Sequence, residues 1–274
     1  MDLQALFGVK NKTAVITGGS GFLGSAMARG LAQAGVRVAI LSLHIESAEK
    51  VAGAIRADGD QAIGIGCNVL DRISLEQAQA KVRSAFGPAD ILVNAAGGNS
   101  PHTTTTAERP FFDLDPHAAH EVFDLNFMGT FQSCQVFGRD MVEQGEGCIV
   151  NITSMSALRP LTHIPVYSAA KAAVANFAQW LAVYMAQEYS PGIRVNALAP
   201  GFFLTEQNRF LLMDAGSGEM TPRGKAILNH TPAGRLGLPD DLVGTLLWLV
   251  SPASAFVTGI VVPVDGGFSA YSGV

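Results

Sequence analysis

A tyrosine, a lysine and a serine in the middle of the chain have the residue types and spacing that proton transfer requires. Tyr167 and Lys171 are four positions apart in YSAAK, and Ser154 precedes them in NITSMS. If this stretch is helical, the two side chains share a face and the ammonium lies beside the phenol. A neighbouring cation favours the phenolate, and about 4 kcal/mol of charge stabilisation would bring the pKa of tyrosine from about 10 to near neutrality. Such a tyrosine could protonate a carbonyl oxygen while hydride reaches the carbon.

A strand, a glycine-rich turn and a helix follow one another near the N-terminus. Residues 12–17 (KTAVIT) predict a buried strand, GGSGFLG follows, and SAMARGLAQAG predicts a helix that ends at Gly35. Gly18, Gly21 and Gly24 would allow a tight turn, backbone approach to a pyrophosphate and close packing of helix on strand. The first amides of the helix would then face the phosphates. An ordinary glycine turn explains the glycines alone, but the turn and the tyrosine–lysine pair together favour a dinucleotide-dependent enzyme.

Further short apolar runs, separated by helical patterns, continue the alternation of strand and helix. The predicted strands are 36–41, 62–65, 91–93, 148–152, 195–198 and 260–262. This order predicts an α/β fold with a doubly wound parallel sheet of the Rossmann type and helices on both faces. Ligands of such sheets bind beyond the carboxyl ends of the strands, which is where Ser20, Asn94, Ser154 and Pro200 lie. No linker or repeat divides the chain, so we expect one domain over residues 1–274.

Composition and charge narrow the classes of partner. Hydrophobic residues make up 48% of the chain and charged residues 15%, which is more apolar than the interior of one monomer needs. Apolar surface buried between subunits is the simplest explanation for this excess of hydrophobic residues. The net charge of −5 argues against nucleic acid and anionic membranes as partners.

The N-terminus and the cysteines favour a cytoplasmic protein. The start MDLQALFGVKNK carries an acid and lacks a long apolar core, so it predicts no signal peptide. The longest apolar stretch, 172–186, contains Asn176 and Gln179 and is short for a membrane span. The three cysteines show neither a CxxC pair nor metal-ligand spacing, which fits a reducing compartment and the absence of a metal site. We expect all three to be small core residues.

The ordered set of motifs resembles the short-chain dehydrogenase/reductase family from about residue 12 to residue 265. The motifs are TGGSGFLG, NAAG at 94–97, Asn126 in DLNFMGT, Ser154, Tyr167 with Lys171, and Pro200-Gly201 leading to Thr205. The separation of Ser154 from Tyr167 is typical of that family. The chain departs from the family pattern at Phe22, where the shorter single-domain members usually have the middle glycine of the turn.

The resemblance implies a role for each catalytic residue. In a carbonyl reduction Tyr167 would be the acid, and Lys171 would lower its pKa and bond the cofactor ribose. Ser154 would hold the carbonyl oxygen through its hydroxyl. Asn126 would distort its helix locally and hold a water that returns protons to Lys171, the alternative being a buried side chain that satisfies backbone groups. Ser156 is a rival to Ser154, but its distance from Tyr167 does not fit the family spacing.

The resemblance also implies a nicotinamide cofactor, NAD or NADP. After the second strand, Ser42 occupies the position at which an acidic residue would grip the ribose and exclude the extra phosphate of NADP. No arginine beside Ser42 attracts that phosphate, and His44 is its nearest substitute, so we expect dual use or a modest preference. Asn68 could contact the adenine. The expected cofactor-binding residues are Gly18, Ser20, Gly21, Phe22, Leu23, Gly24, Ser42, Asn68, Val69, Asn94, Ala95, Ala96, Gly97, Tyr167, Lys171, Pro200, Gly201, Phe203 and Thr205.

The substrate is indicated by the variable-looking loops. Segment 200–239 is long for a connection and is predicted to be a lid. With the loop after residue 94 and the run SALRPLTHIPVY, it resembles one subgroup of the family, the D-mannonate oxidoreductases or fructuronate reductases. A hexuronate needs a cation for its carboxylate and amides or hydroxyls for its alcohols. The candidate substrate residues are Asn99, Arg159, His163, Gln207 and Arg209, whereas Arg109, Arg223 and Arg235 are interpreted as loop charges or subunit salt bridges.

Two other functions stay open. One is another short-chain reductase, acting on 5-keto-gluconate or a 3-oxoacyl-carrier protein; a carrier protein would call for a basic docking surface that this acidic chain does not suggest. The other is a nicotinamide sensor without turnover, which would need the glycine turn but no proton donor. The resemblance further implies a homotetramer in which the apolar helix after Lys171 packs against its copy.

Overall fold

The chain folds around one parallel sheet. A computed structural model describes residues 2–205, 209, 212–214, 216 and 218–273. Its strands are β1 (Thr13–Thr17), β2 (Arg37–Ser42), β3 (Ala62–Gly66), β4 (Ile91–Asn94), β5 (Gly147–Ile152), β6 (Ile193–Pro200) and β7 (Val261–Val264). They lie in the order β3-β2-β1-β4-β5-β6-β7, and every neighbouring pair is parallel. All the predicted strands are confirmed.

The direction of winding reverses between β1 and β4. The chain runs from β1 outward to β3, returns to the centre at β4, and continues on the other side to β7. In open α/β sheets the carboxyl ends of the two strands at this reversal border the ligand crevice. The register pairs Thr17 with Asn94 and Asn94 with Asn151, so the loops that follow β1, β4 and β5 leave the sheet at one edge.

Helices cover both faces of the sheet. They are α1 (Leu3–Leu6), α2 (Phe22–Gln33), α3 (Ile45–Ala57), α4 (Arg72–Phe86), α5 (Pro116–Phe123), α6 (Gly129–Gln144), α7 (Pro165–Glu188), α8 (Pro222–Asn229) and α9 (Asp241–Val250). Buried side chains of α2, α3 and α9 form the core on one face, and those of α4, α6 and α7 form it on the other. Within β1, Ile16 joins the first core and Val15 the second, because successive strand side chains point to opposite faces. The predicted Rossmann-type domain is confirmed.

A buried arginine fastens β6 to the end of α9. Arg194 donates from Nη1 to the Leu249 carbonyl and to the Ser254 hydroxyl, both at 2.8 Å, and from Nη2 to the Ser251 carbonyl at 3.3 Å. The last carbonyls of a helix have no intrahelical donor, and a cation there also complements the helix dipole. Arg194 therefore satisfies the C-terminal end of α9 from the neighbouring strand.

One face of α7 is apolar and exposed. Trp180, Val183 and Tyr184 share that face by their spacing and are exposed in the single chain. The rings of Trp180 and Tyr184 stack with their centroids 4.9 Å apart. The segment 172–186 lies entirely within α7. Among the described residues, no helix is both long and apolar enough to cross a bilayer.

Candidate active site

The end of β5 and the start of α7 bring the predicted hydroxyl and phenol together. Ser154 follows β5, and Tyr167 lies in the first turn of α7. Ser154 Oγ accepts from the backbone amide of Ser156 at 3.2 Å and is hydrogen-bonded to Tyr167. The Ser156 hydroxyl is buried and has no hydrogen-bond partner in the described part of the chain. This geometry supports Ser154, rather than Ser156, as the hydroxyl that acts with the phenol.

Lys171 lies one turn further along α7 and is buried. Its side chain has 4% exposure, its Nζ donates to the Ile152 carbonyl at 2.9 Å, and Nζ lies 5.7 Å from the centre of the Tyr167 ring. Thr153 anchors the same turn by donating its hydroxyl to the Lys171 carbonyl at 2.7 Å. Burial lowers the pKa of Lys171 to about 8, because loss of water disfavours the charged form. This ammonium can therefore exchange protons near neutral pH.

The pKa of Tyr167 moves in the opposite direction from the expectation. Burial raises the pKa above that of free tyrosine, and the hydrogen bond with Ser154 lowers it only in part. Helical spacing correctly predicted Lys171 beside the ring, but it carried no information on desolvation, which disfavours the phenolate. The prediction of a lowered pKa is therefore wrong for the protein alone. At neutral pH the phenol is protonated, which is the state that a proton donor needs.

Asn126 lies in a π-helical turn, Asp124–Met128, between α5 and α6. Its Nδ2 donates to the carbonyls of Val122 and Gly98, both at 2.7 Å, and its Oδ1 accepts from the Gly98 amide at 3.3 Å. The predicted local distortion is confirmed, and π-helical turns of this kind often occur at functional sites. The amide also satisfies backbone groups, as the alternative interpretation proposed.

Gly97 brings Asn126 and Lys171 to one point. A Cβ atom at position 97 would lie 2.5 Å from Asn126 Oδ1 and 3.1 Å from Lys171 Nζ. A side chain at this position would therefore force the Asn126 amide to move. The amide oxygen and the ammonium flank the same backbone position, an arrangement that a water molecule can bridge.

The turn after β1 fits a pyrophosphate. Gly18 has a φ of 63°, and a Cβ atom there would lie 2.7 Å from the Ala96 backbone. Gly24 packs so closely on the Gly18 carbonyl that no side chain has room. Gly21 precedes the first turn of α2, whose leading amides have no intrahelical acceptor. Those amides and the helix dipole favour an anion.

Two hydroxyls meet at the carboxyl ends of β1 and β2. Ser20 Oγ donates to Ser42 Oγ at 2.8 Å. Beyond Ser42, Leu43 and His44 are exposed, and the His44 side chain makes no capping bond to α3. The position at which the sequence predicts contact with the ribose therefore presents hydroxyls rather than a carboxylate.

The other predicted cofactor residues differ in which of their atoms a ligand could contact. At the same edge of the sheet lie Phe22 and Leu23 at the start of α2, Ala95 and Ala96 after β4, and Pro200, Gly201, Phe203 and Thr205 at the end of β6 or after it. Asn94, by contrast, is buried within the sheet and donates to Asn151 Oδ1 at 2.9 Å. The Val69 side chain is also buried, and Asn68 Oδ1 accepts from the Leu70 amide at 3.0 Å. Asn94 and Val69 have only backbone atoms to offer a ligand.

Two of the predicted substrate residues are held in loop contacts. Asn99 donates to Thr104 Oγ1 and accepts from Thr103 Oγ1, both at 3.0 Å. His163 has a φ of 72°, and its Nδ1 lies 2.9 Å from Thr105 Oγ1. Their polar atoms therefore shape the loop after β4 and tie it to the loop before α7.

A cavity of about 480 Å³ adjoins the loop that links Ser154 to Tyr167. Its lining comprises Arg159, Pro160, Leu161, Thr162, Phe202, Arg223, Ala226, Ile227, His230, Phe268, Ser269 and Tyr271. Arg159 was predicted from the sequence, whereas Arg223 was interpreted as a loop charge. Arg209 is exposed and does not line this cavity, and Gln207 lies outside the described residues.

The remaining charges and the cysteines have structural roles. Arg235 pairs with Asp241 at 2.6 Å, and Arg109 donates to the Pro101 carbonyl at 2.6 Å. The three cysteines are free and buried, as expected for small core residues. Burial raises the pKa of Cys134 to about 12 and that of Cys148 to about 11.

Hydride transfer between a dinucleotide and a carbonyl needs a phosphate cradle and a proton donor at one edge of a sheet, and this chain provides both. The fold and the site thus define an NAD(P)-dependent oxidoreductase. The family model described as short chain dehydrogenase matches residues 12–214. The chain belongs to that family.

Relatives within the family share nearly the full length of the chain. An uncharacterized oxidoreductase of Bacillus subtilis, UxuB, is 50% identical over 272 residues, which cover 96% of each chain. A crystal structure from Haemophilus influenzae, provisionally named a D-mannonate oxidoreductase and solved with bound NAD, is 45% identical with a TM-score of 0.91 and 100% coverage of both chains. A gluconate 5-dehydrogenase from Burkholderia cenocepacia, solved with NADP and tartrate, is 32% identical with a TM-score of 0.88, covering 98% of this chain and 100% of that one.

Proposed function

We propose that this protein reduces the ketone of the sugar acid D-fructuronate to the alcohol of D-mannonate, and catalyses the reverse oxidation, with NAD or NADP as the cofactor. The observation that carries the proposal is the position of Ser154 and Tyr167 at the two ends of a loop whose Arg159 lines a cavity. The loop thus joins a proton donor for a ketone to a cation for a carboxylate. The likeness to the provisionally named D-mannonate oxidoreductase and to the gluconate 5-dehydrogenase supports this substrate class.

Tyr167 is the acid in the reductive direction. The bound nicotinamide supplies the hydride, and the protonated phenol gives its proton to the carbonyl oxygen. Ser154 positions that oxygen. Ser154 Oγ accepts from the Ser156 amide, and the hydroxyl that bonds Tyr167 in the free protein can donate its proton to the substrate oxygen instead. A donor placed where negative charge develops lowers the barrier, commonly by 10²- to 10³-fold in rate, or about 3 kcal/mol.

Lys171 and Asn126 return the proton. When Tyr167 becomes a phenolate, the adjacent ammonium stabilises it. With a pKa of about 8, Lys171 can also donate a proton and recover one from water. Asn126, fixed by the π-helical turn, would hold that water close to Lys171.

The residues at the carboxyl ends of β1 and β4 would hold the cofactor. The turn formed by Gly18, Gly21 and Gly24 holds the phosphates, and Ser20 and Ser42 face the adenine-side ribose. Because hydroxyls neither repel nor strongly attract a phosphate there, we expect use of both cofactors or a modest preference for one.

The lid, residues 200–239, closes over the substrate. Arg159 holds the carboxylate, while Asn99 and His163 shape the opposite rim through their contacts in the loop after β4. Arg209, which is exposed in the same segment, is the alternative anchor for the carboxylate.

We further propose that the protein forms a homotetramer in the cytoplasm. Burial of the exposed apolar face of α7, with Trp180, Val183 and Tyr184, against its copy supports it. Multi-angle light scattering at micromolar concentration tests the assembly; a stable monomer would contradict it.

A panel of keto acids tests the function. The purified enzyme is offered D-fructuronate, 5-keto-D-gluconate and 2- and 3-keto acids, and nicotinamide absorbance is followed with each cofactor. We expect the highest kcat/KM with D-fructuronate. A preference for 5-keto-D-gluconate would favour the second candidate, a gluconate 5-keto reductase, which the 32% identity to the gluconate 5-dehydrogenase supports. Turnover of none of these acids would reject the sugar-acid assignment.

A further inference from the structure

The cavity of about 480 Å³ carries positive charge that no neighbouring acid offsets. Arg159 and Arg223 line it from two separate stretches of chain, and its described lining contains no carboxylate. Arg159 donates from Nε to the Ser269 carbonyl at 3.2 Å, which leaves its terminal nitrogens directed elsewhere. Within the described ranges, Arg223 has no hydrogen-bond or ion-pair partner. Two guanidinium groups are therefore available to one ligand.

The acids nearest in sequence are engaged elsewhere. Asp265 accepts from the amides of Gly267 and Ser269, at 2.9 and 2.8 Å. Glu219 lies 3.9 Å from Lys225, and Asp241 pairs with Arg235. Among the described residues, no acid lines the cavity beside these guanidinium groups, so they suit an anionic ligand.

Another part of the cavity lining consists of rings. The His230 ring lies 4.7 Å from that of Phe268 and 4.9 Å from that of Tyr271, and Phe202 lies 5.0 Å from Phe268. An apolar wall lowers the local dielectric constant and strengthens the attraction between the guanidinium groups and an anion. The volume lies within the range of small-ligand sites, roughly 300 to 1,000 Å³.

The cavity is connected by sequence to the reacting groups. Arg159 belongs to the loop that joins Ser154 to Tyr167, and Phe202 directly follows the Pro200-Gly201 pair at the end of β6. A ligand whose ketone lies against Ser154 and Tyr167 can therefore extend its other end along this loop. α8, which carries Arg223, belongs to the segment that we assign to the lid.

We propose that Arg223 and Arg159 together hold the substrate carboxylate, so that Arg223, on the lid helix, determines specificity for acids over neutral ketoses. The inference rests on the proposed sugar-acid function. Guanidinium groups suit this role because each presents a planar fork of donors to a carboxylate.

The test compares Arg159→Ala, Arg223→Ala and the double variant on D-fructuronate and on D-fructose, which has a hydroxymethyl group in place of the carboxylate. Lys225→Ala is the matched control, because it removes a positive charge from α8 at a position that does not line the cavity. Each cavity variant should raise KM for D-fructuronate by about ten- to a hundredfold. Neither should change the weak activity on D-fructose, and the double variant should lose less than the product of the single losses, because both arginines bind one carboxylate.

Three results would overturn the inference while leaving the sugar-acid function intact: Arg223→Ala behaving like Lys225→Ala, equal losses on acid and neutral substrates, or fully multiplicative losses in the double variant. If the parent enzyme turns over no sugar acid, the proposed function fails, and calorimetric binding of D-mannonate decides on the cavity alone. Weaker binding of D-mannonate to Arg223→Ala than to the parent would still support joint binding of the carboxylate by Arg159 and Arg223. Equal binding, or none to the parent, would reject it.

Discussion

Replacing Gly97 by alanine tests whether Asn126 and Lys171 work as a unit. The added methyl group would lie 2.5 Å from Asn126 Oδ1 and 3.1 Å from Lys171 Nζ. Favourable contacts of a carbon atom begin at about 3.5 Å, so the amide must retreat by about 1 Å. The backbone at position 97 is compatible with alanine, since its φ is not positive.

A displacement of about 1 Å at a catalytic group can cost about 10²-fold in rate. We therefore expect Gly97→Ala to lower kcat about a hundredfold, and overpacking to lower the free energy of unfolding by about 1 to 3 kcal/mol. Gly98→Ala is the matched control, because a Cβ atom at that position meets open space.

The assay combines steady-state kinetics, cofactor titration by fluorescence and urea unfolding of both variants. Gly98→Ala should keep near-normal turnover and stability. If Gly97→Ala retained the kcat of Gly98→Ala, the crowding of Asn126 and Lys171 would have no catalytic importance. A loss of cofactor affinity that accounts for the whole decrease would place the role of Gly97 in cofactor binding instead of in the proton relay.

Further predictions concern cofactor choice, stability and pH. Ser42→Asp should weaken binding of NADP far more than that of NAD, because a carboxylate at the ribose repels the phosphate; unchanged affinities for both would show that Ser42 is not at the ribose. Arg194→Met should lower the free energy of unfolding in urea by about 3 kcal/mol, because buried carbonyls at the end of α9 lose their donors; a change within error would refute that role. Since burial lowers the pKa of Lys171 to about 8 and raises that of Tyr167, ketone reduction should fall as pH rises, first as the Lys171 ammonium loses its proton and then as pH passes through the pKa of Tyr167, whereas alcohol oxidation, which needs the phenolate, should rise. Opposite slopes would contradict Tyr167 as the acid.

The strands and helix α2 could be predicted from the sequence because their signals are local. The run TAVIT is buried along its whole length, and the glycines that follow it have one geometric solution between strand and helix. The helical spacing of Tyr167 and Lys171 likewise predicted that their side chains lie close together. The distortion at Asn126 came from the family resemblance, since nothing local in DLNFMGT demands a π-helical turn.

The features that could not be predicted from the sequence depend on contacts between segments that are far apart in the chain. Arg223 is far along the chain from Arg159, and only the folded chain shows that they line one cavity. The pKa of Tyr167 depends on burial by several elements, which outweighs the lysine predicted from the spacing. Asn94 is the first residue of the NAAG motif, yet its side chain points into the sheet and donates to Asn151.

Replacing Tyr167 by phenylalanine tests the central claim most directly. The variant keeps the ring but loses the hydroxyl, so it should fold normally and bind NAD or NADP with the affinity of the parent. Turnover of D-fructuronate should fall by about 10²- to 10⁴-fold, because no proton reaches the carbonyl oxygen. Near-normal turnover by Tyr167→Phe, with cofactor binding intact, would contradict Tyr167 as the proton donor and with it the mechanism proposed for this site.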